Sequence, residues 1–170
     1  YSTTWTTLAT VGADVTTYQA TSLTAGYAYR FRVIANTAGN TSDPSNDIIA
    51  WTHLAAPVVT VSPASETSLT PSWADIAGET NYTLERKQGA GGTWAEVAGA
   101  IGMAANTTSR TDTGLSLSTE YCYRVKAYST HANGPPPVYS NEPCLFTPLA
   151  APTLISSGRS SGCFTLQARW

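Results

Sequence analysis

Three cysteines, two histidines and eleven carboxylates are the groups in this 170-residue chain with the widest chemical scope. Thiols and imidazoles at short, regular spacing would bind zinc. Neither His53 nor His131 has a cysteine or carboxylate at such spacing, so no metal site is expected. A hydrolytic nucleophile needs a base, an orienting carboxylate and an oxyanion donor. Serines are abundant, but none is expected in a Gly-x-Ser-x-Gly nucleophile turn. Paired carboxylates could cleave a glycosidic bond across a cleft; here they are scattered. Asp112-Thr113-Gly114 reads as a turn in which the aspartate bonds its own backbone. Gly89-Ala90-Gly91-Gly92 lacks the Lys-Ser/Thr of a phosphate loop and reads as a hairpin turn. No catalytic residue, metal or cofactor is expected.

The rest of the composition says what these residues are mounted on. Only 12% of residues are charged, against about 25% in a typical soluble chain. Thr and Ser supply roughly another quarter, and Val, Tyr and Trp recur throughout. That mixture suits pleated, half-buried surfaces and suits surface helices badly. A formal charge of −2 and a pI near 5.6 give no basic footprint for nucleic acid or an anionic membrane. No apolar run approaches the roughly 18 residues that span a bilayer. With no initiating Met and no signal-like segment, a processed chain or an excerpt is expected.

The chain repeats itself. Trp5 matches Trp94, Leu23 matches Leu115, Tyr29 matches Tyr121, Val33 matches Val125, and Ser45-Asn46 matches Ser140-Asn141. Leu54-Ala55-Ala56-Pro57 returns as Leu149-Ala150-Ala151-Pro152, and each is followed by strand-like residues ending in Trp73 or Trp170. One repeat is about 95 residues by this offset, an ordinary size for a small domain. Alternation and turn signals predict strands over 58–61, 68–73, 81–87, 94–98, 108–111, 120–128 and 139–146. Seven short strands without a helical segment argue for an all-β sandwich. In the longest, Tyr121, Tyr123, Val125 and Ala127 should face the core, with Cys122, Arg124, Lys126 and Tyr128 opposite.

Trp73, Tyr82, the Leu115/Tyr121 pair, Tyr123-Arg124-Val125-Lys126-Ala127 and Tyr139-Ser140-Asn141 together resemble the fibronectin type III signature. The first repeat carries the same pieces as Leu23, Tyr29, Phe31-Arg32-Val33-Ile34-Ala35-Asn36 and Gly39. The Leu/Tyr spacing is that of a tyrosine corner, in which the phenol bonds back to the backbone at a strand crossover. Pro71 departs from the pattern, because it removes a ladder N–H inside a strand; an edge or a bulge is expected there. The resemblance implies tandem fibronectin type III/immunoglobulin-like β-sandwiches of the bacterial extracellular type. The C-terminal part of one domain spans 1–54, a complete domain 55–148, and the N-terminal strands of a third 149–170.

Cys122 and Cys144 fall on hairpin partners, and a register placing Ala127 against Ser140 sets them nearly opposite. The first repeat has Arg30 and Ile49 in their places, so both cysteines are missing together. A cross-strand disulfide on the outward face is expected, and with it an oxidising, extracellular or cell-surface setting. Cys163 is left over, either free or paired outside this stretch.

The loop from Ser129 to Val138 is stiffened by Pro135, Pro136 and Pro137 and carries His131 and Asn133, which makes it the candidate binding loop. Asn40-Thr41-Ser42, Asn81-Tyr82-Thr83 and Asn106-Thr107-Thr108 match the N-glycosylation pattern. The expected function is a non-catalytic structural or adhesive repeat, a spacer or a building block of an extracellular fibre. Its expected partners are neighbouring copies or domains, with carbohydrate or a cell-surface protein as further candidates. The alternative is an accessory module of a secreted polysaccharide-degrading enzyme, which an exposed row formed by Trp5, Trp94 and Tyr128 would favour.

Overall fold

The computed structural model describes residues 4–129, 135–160 and 163–169. All regular elements among them are strands. A hairpin of β1 (Ala28–Phe31) and β2 (Ile48–Trp51) comes first. The middle of the chain then builds two facing sheets. One has the order β3 (Val59–Ser65), β4 (Ser68–Trp73), β8 (Asp112–Thr113). The other is centred on β5 (Asn81–Gln88) paired with β9 (Glu120–Tyr128). β6 (Ala95–Glu96) and β7 (Met103–Ala104) extend it beyond β5; β10 (Val138–Tyr139) and β11 (Cys144–Phe146) extend it beyond β9. A last hairpin pairs β12 (Thr153–Ser160) with β13 (Cys163–Arg169).

Period-two alternation explains the core. Tyr121, Tyr123, Val125 and Ala127 of β9 are buried with Tyr82 and Leu84 of β5 against Val59, Leu69 and Trp73 of the other sheet. Trp73 and Tyr82 pack at 5.7 Å between ring centroids. Fully burying side chains such as Leu69, Leu84 and Val125 contributes about 1.5–3 kcal/mol each. Leu115 caps this core, and beside it the Ser116 N–H donates to Tyr121 Oη at 3.1 Å. The first repeat makes the same corner, with the Thr24 N–H donating to Tyr29 Oη at 2.8 Å.

Several sequence expectations need correction. β3 runs on through Pro63-Ala64-Ser65, the stretch expected to connect two strands. The short strand forms at Asp112–Thr113 instead of 108–111. β7 is additional. The closing strand is split in two, because Ser140 leaves the ladder: its Oγ accepts the Val125 N–H at 2.9 Å while its own N–H donates to the Val125 carbonyl. Ala127 consequently pairs with Val138, not Ser140. Pro71 lies in the middle strand of its sheet rather than at an edge. Opposite it the third strand is interrupted, leaving a lone bridge between Ser72 and Ser109 beyond the gap. The Pro71 carbonyl still accepts the Arg110 N–H, and Thr70 Oγ1 meets Thr111 Oγ1 at 3.0 Å where a ladder bond is missing.

Candidate functional site

The outer face of the β5/β9 sheet brings Glu85, Lys87, Glu96, Arg124, Lys126 and Glu142 into one network of ion pairs. Cys122 and Cys144 are direct register partners joined by a disulfide. The positions equivalent in the first repeat, Arg30 and Ile49, are also direct register partners. Next to the cystine, Arg124 lies between two rings, its guanidinium 4.3 Å from the Trp94 centroid and 4.6 Å from that of Tyr139. Lys87 stands 4.7 Å from the Trp94 centroid and Lys126 5.8 Å from that of Tyr139. The resulting row alternates cation and aromatic ring, each contact adding roughly 0.5–2 kcal/mol at such half-buried sites.

Glu85 anchors the row from beneath. It accepts from Arg124 Nε at 2.6 Å and from Lys126 Nζ. Burial by itself raises the Glu85 pKa, but the Lys126 and Arg124 hydrogen bonds outweigh it and hold the carboxyl below the ordinary range. The Glu85 hydrogen bond in turn raises the Lys126 pKa, against the opposing effect of burial. Glu142 closes the row by pairing with Arg124 at 3.3 Å and Lys87 at 3.7 Å. A smaller version exists in the first repeat, where Arg32 and Arg30 stand over Trp5 at 4.0 and 5.6 Å. Cations therefore stand over the rings of both Trp5 and Trp94.

Asp112 is not the turn residue expected of it. It is buried in β8, and its Oδ2 accepts from Arg86 Nη1 at 2.7 Å and Tyr123 Oη at 2.9 Å. The carboxylate thus bolts one sheet to the other. Burial, then the bond to Asp112, pushes the Tyr123 phenol far up. Burial also pushes Tyr82 up to about 12, with its hydroxyl donating to Asp75 and accepting from the Ile76 N–H.

Two further residues have roles that the sequence pattern did not assign. Asn141 bridges the sheets by bonding both backbone groups of Val59, at 2.6 and 3.0 Å. Thr147 Oγ1 accepts the Thr119 N–H and donates to the Ser116 carbonyl; Thr52 does the same with Tyr27 and Thr24. The internal signal was the shared Thr before each Leu-Ala-Ala-Pro. Gly158-Arg159-Ser160-Ser161-Gly162 has the spacing of a nucleophile turn, yet Arg159 and Ser160 continue β12 and pair with β13. Ser161 and Gly162 lie outside the described residues.

Of the candidate binding loop, Pro135 and Pro137 are half-buried and Pro136 is exposed, while His131 and Asn133 lie outside the described residues. Trp170 lies outside them too. Asn40 and Asn106 are exposed, whereas Thr83 of the Asn81 triplet is buried and its Oγ1 accepts the Gly102 N–H. Among the described residues no group of three or more His, Cys, Asp or Glu could hold a metal ion, and no helix is long and apolar enough to cross a membrane.

No protein-family profile matches the sequence. It is 33% identical over 118 residues to fibronectin type III domain-containing protein 7 of Mus musculus, a match covering 68% of this chain and 15% of that protein. Among solved structures, a two fibronectin type III domain segment from chicken tenascin superimposes with a TM-score of 0.66 at 20% identity, over 81% of this chain and 74% of that one. The fold is the fibronectin type III/immunoglobulin-like β-sandwich.

Proposed function

We propose that the chain is a non-catalytic structural or adhesive segment of tandem fibronectin type III-like units. Residues 1–54 belong to a first unit, 55–148 form a complete second, and 149–170 begin a third. The observation that carries this reading is the recurrence of one hydrogen-bond set at matched positions. Tyr29 and Tyr121, Ser45 and Ser140, and Thr52 and Thr147 each make the same backbone contacts in their own repeat. The buried carboxylates Glu85 and Asp112 are both engaged in internal ion pairs, a structural use. The cystine supports a secreted or surface-displayed protein. Spacing, adhesion or assembly into a fibre is the work such an array performs, with neighbouring units as its partners. Electron microscopy and small-angle scattering of the native-length protein test the reading. Strings or filaments of uniform beads are expected; a compact single globule would overturn it.

A further inference from the structure

The two Leu-Ala-Ala-Pro copies have opposite fates. Leu54 is 6% exposed, whereas Leu149 at the same position is 76% exposed. The difference lies in what touches each one. A methyl group placed on Gly26 would stand 2.8 Å from Leu54 Cδ2, 2.6 Å from the Gly78 carbonyl oxygen and 3.2 Å from Ser129 Cβ. One placed on Gly78 would stand 2.2 Å from the Ala25 carbonyl oxygen. The Ala25-Gly26 turn of the first repeat therefore lies directly on the Gly78 loop of the second, backbone against backbone, with Leu54 tucked into the crook. Both glycines have left-handed φ, 68° and 89°, so neither position suits a side chain.

The far end of the second repeat carries the same frame. Leu117-Ser118 stands where Ala25-Gly26 does, Ser118 is also left-handed at φ 47°, and Thr147 repeats the bonds of Thr52. Leu117 is nonetheless 44% exposed beside the open Leu149. A contact to residues beyond the junction is already made, as Glu66 Oε1 accepts the Ala151 N–H at 3.2 Å.

We propose that Leu117, Ser118 and Leu149 form a docking seat for another fibronectin type III-like unit, the one to which β12 and β13 belong. Its occupant is the loop between the second and third strands of that unit, the counterpart of the Gly78 loop. This rests on the tandem-array reading. Leu117 and Ser118 replace Ala25 and Gly26, so the backbones cannot approach as closely as at the first junction. The second seat is filled by leucine side chains, and it sets a different angle between neighbours.

Hydroxyl-radical footprinting with mass spectrometry tests this on two proteins, the 170-residue chain and the native-length protein. Labelling of Leu117 and Leu149 should drop severalfold in the longer protein, while Ile101, exposed in the complete second repeat, serves as an internal reference. In the longer protein Leu149→Asp should restore labelling at Leu117 without lowering the melting transition of the second repeat. Equal labelling of Leu117 and Leu149 in both proteins, with the third unit showing its own cooperative unfolding, would overturn the seat and leave the array standing. Absence of any third folded unit would overturn both.

Discussion

The β1/β2 hairpin and the hairpin of β9 with residues 138–146 are two copies of one sequence pattern in opposite surroundings. Their polar fastenings are alike: the tyrosine corner, the serine that replaces a ladder bond, and the threonine at the strand end recur within a few tenths of an ångström. Their burial is not. Val125 is 0% exposed against the facing β3/β4/β8 sheet, while its counterpart Val33 is 74% exposed. Local hydrogen bonds are therefore encoded by residues close in sequence and need no core. Burial depends on a second layer, and the second layer supplies most of the stability.

That contrast is sharpest under truncation. Tyr123→Ala removes a fully buried ring and should destabilise the second repeat by about 3–5 kcal/mol, the range for aromatic truncation in a core. Val33→Ala at the equivalent position, just beyond β1, should change stability by less than about 0.5 kcal/mol in this chain. Urea denaturation followed by tryptophan fluorescence reads both. Comparable losses at the two positions would mean that β1/β2 has a covering layer of its own.

The cystine and the inter-sheet carboxylate come next in size. Replacing Cys122 and Cys144 together with Ala releases a loop with a sequence separation of 22, which chain-entropy reasoning values at about 3 kcal/mol. The reciprocal change, Arg30→Cys with Ile49→Cys, should close a bridge in the first repeat, because those residues already face each other in register. Non-reducing peptide mapping checks it. Asp112→Ala strands Arg86 and the Tyr123 hydroxyl in the sandwich and should cost about 3 kcal/mol. Should Asp112→Ala prove neutral, the two sheets are held by packing and the Asn141 bridge to Val59 without it.

Much of this was legible beforehand, and the rest failed for physical reasons. β4 and β9 have the bounds their alternation predicts, because both bury one clean face. The cysteine pair could be read from its joint absence in the first repeat. Asp112 misled because Asp-Thr-Gly is locally good turn chemistry, and only a long-range partner on β5 makes it a buried anchor. Ser140 and Asn141 misled because a side chain can stand in for a backbone group, which no hydropathy pattern records. Pro71 was expected at an edge or a bulge, and the middle strand holds it because its neighbour is interrupted opposite the missing N–H. The outer row of Lys87, Trp94, Arg124, Tyr139 and Lys126 needs sheet register before its members can be seen as neighbours.

Acid separates the two repeats without mutation, since a buried acidic anchor like Glu85 belongs to the second. Its folded pKa lies below the unfolded value, so the stability it contributes is complete above that unfolded value of about 4.3. As pH falls through the folded pKa, that contribution is lost. The urea midpoint of the second repeat should hold steady from neutral pH down to about 5 and decline below about 4. Glu85→Gln should lower the plateau and flatten that decline. An unaltered acid limb in the variant would assign the loss to other carboxylates.

The smallest expected effect bears most directly on the comparison. Tyr121→Phe and Tyr29→Phe each delete one corner hydroxyl, leaving the Ser116 or Thr24 N–H without its acceptor. In the second repeat this should cost about 1 kcal/mol, the ordinary net value of one hydrogen bond, and lower the global unfolding midpoint accordingly. In the first repeat the same deletion should leave the global midpoint in place. It should instead speed hydrogen exchange at the Thr24 amide, because the bond there fastens a loop and not a core. Equal shifts of the global midpoint from both substitutions would show that the two hairpins unfold as one cooperative unit. The leucine-filled crook at Gly26 and Gly78 would then transmit folding energy between repeats, and their independence would be lost.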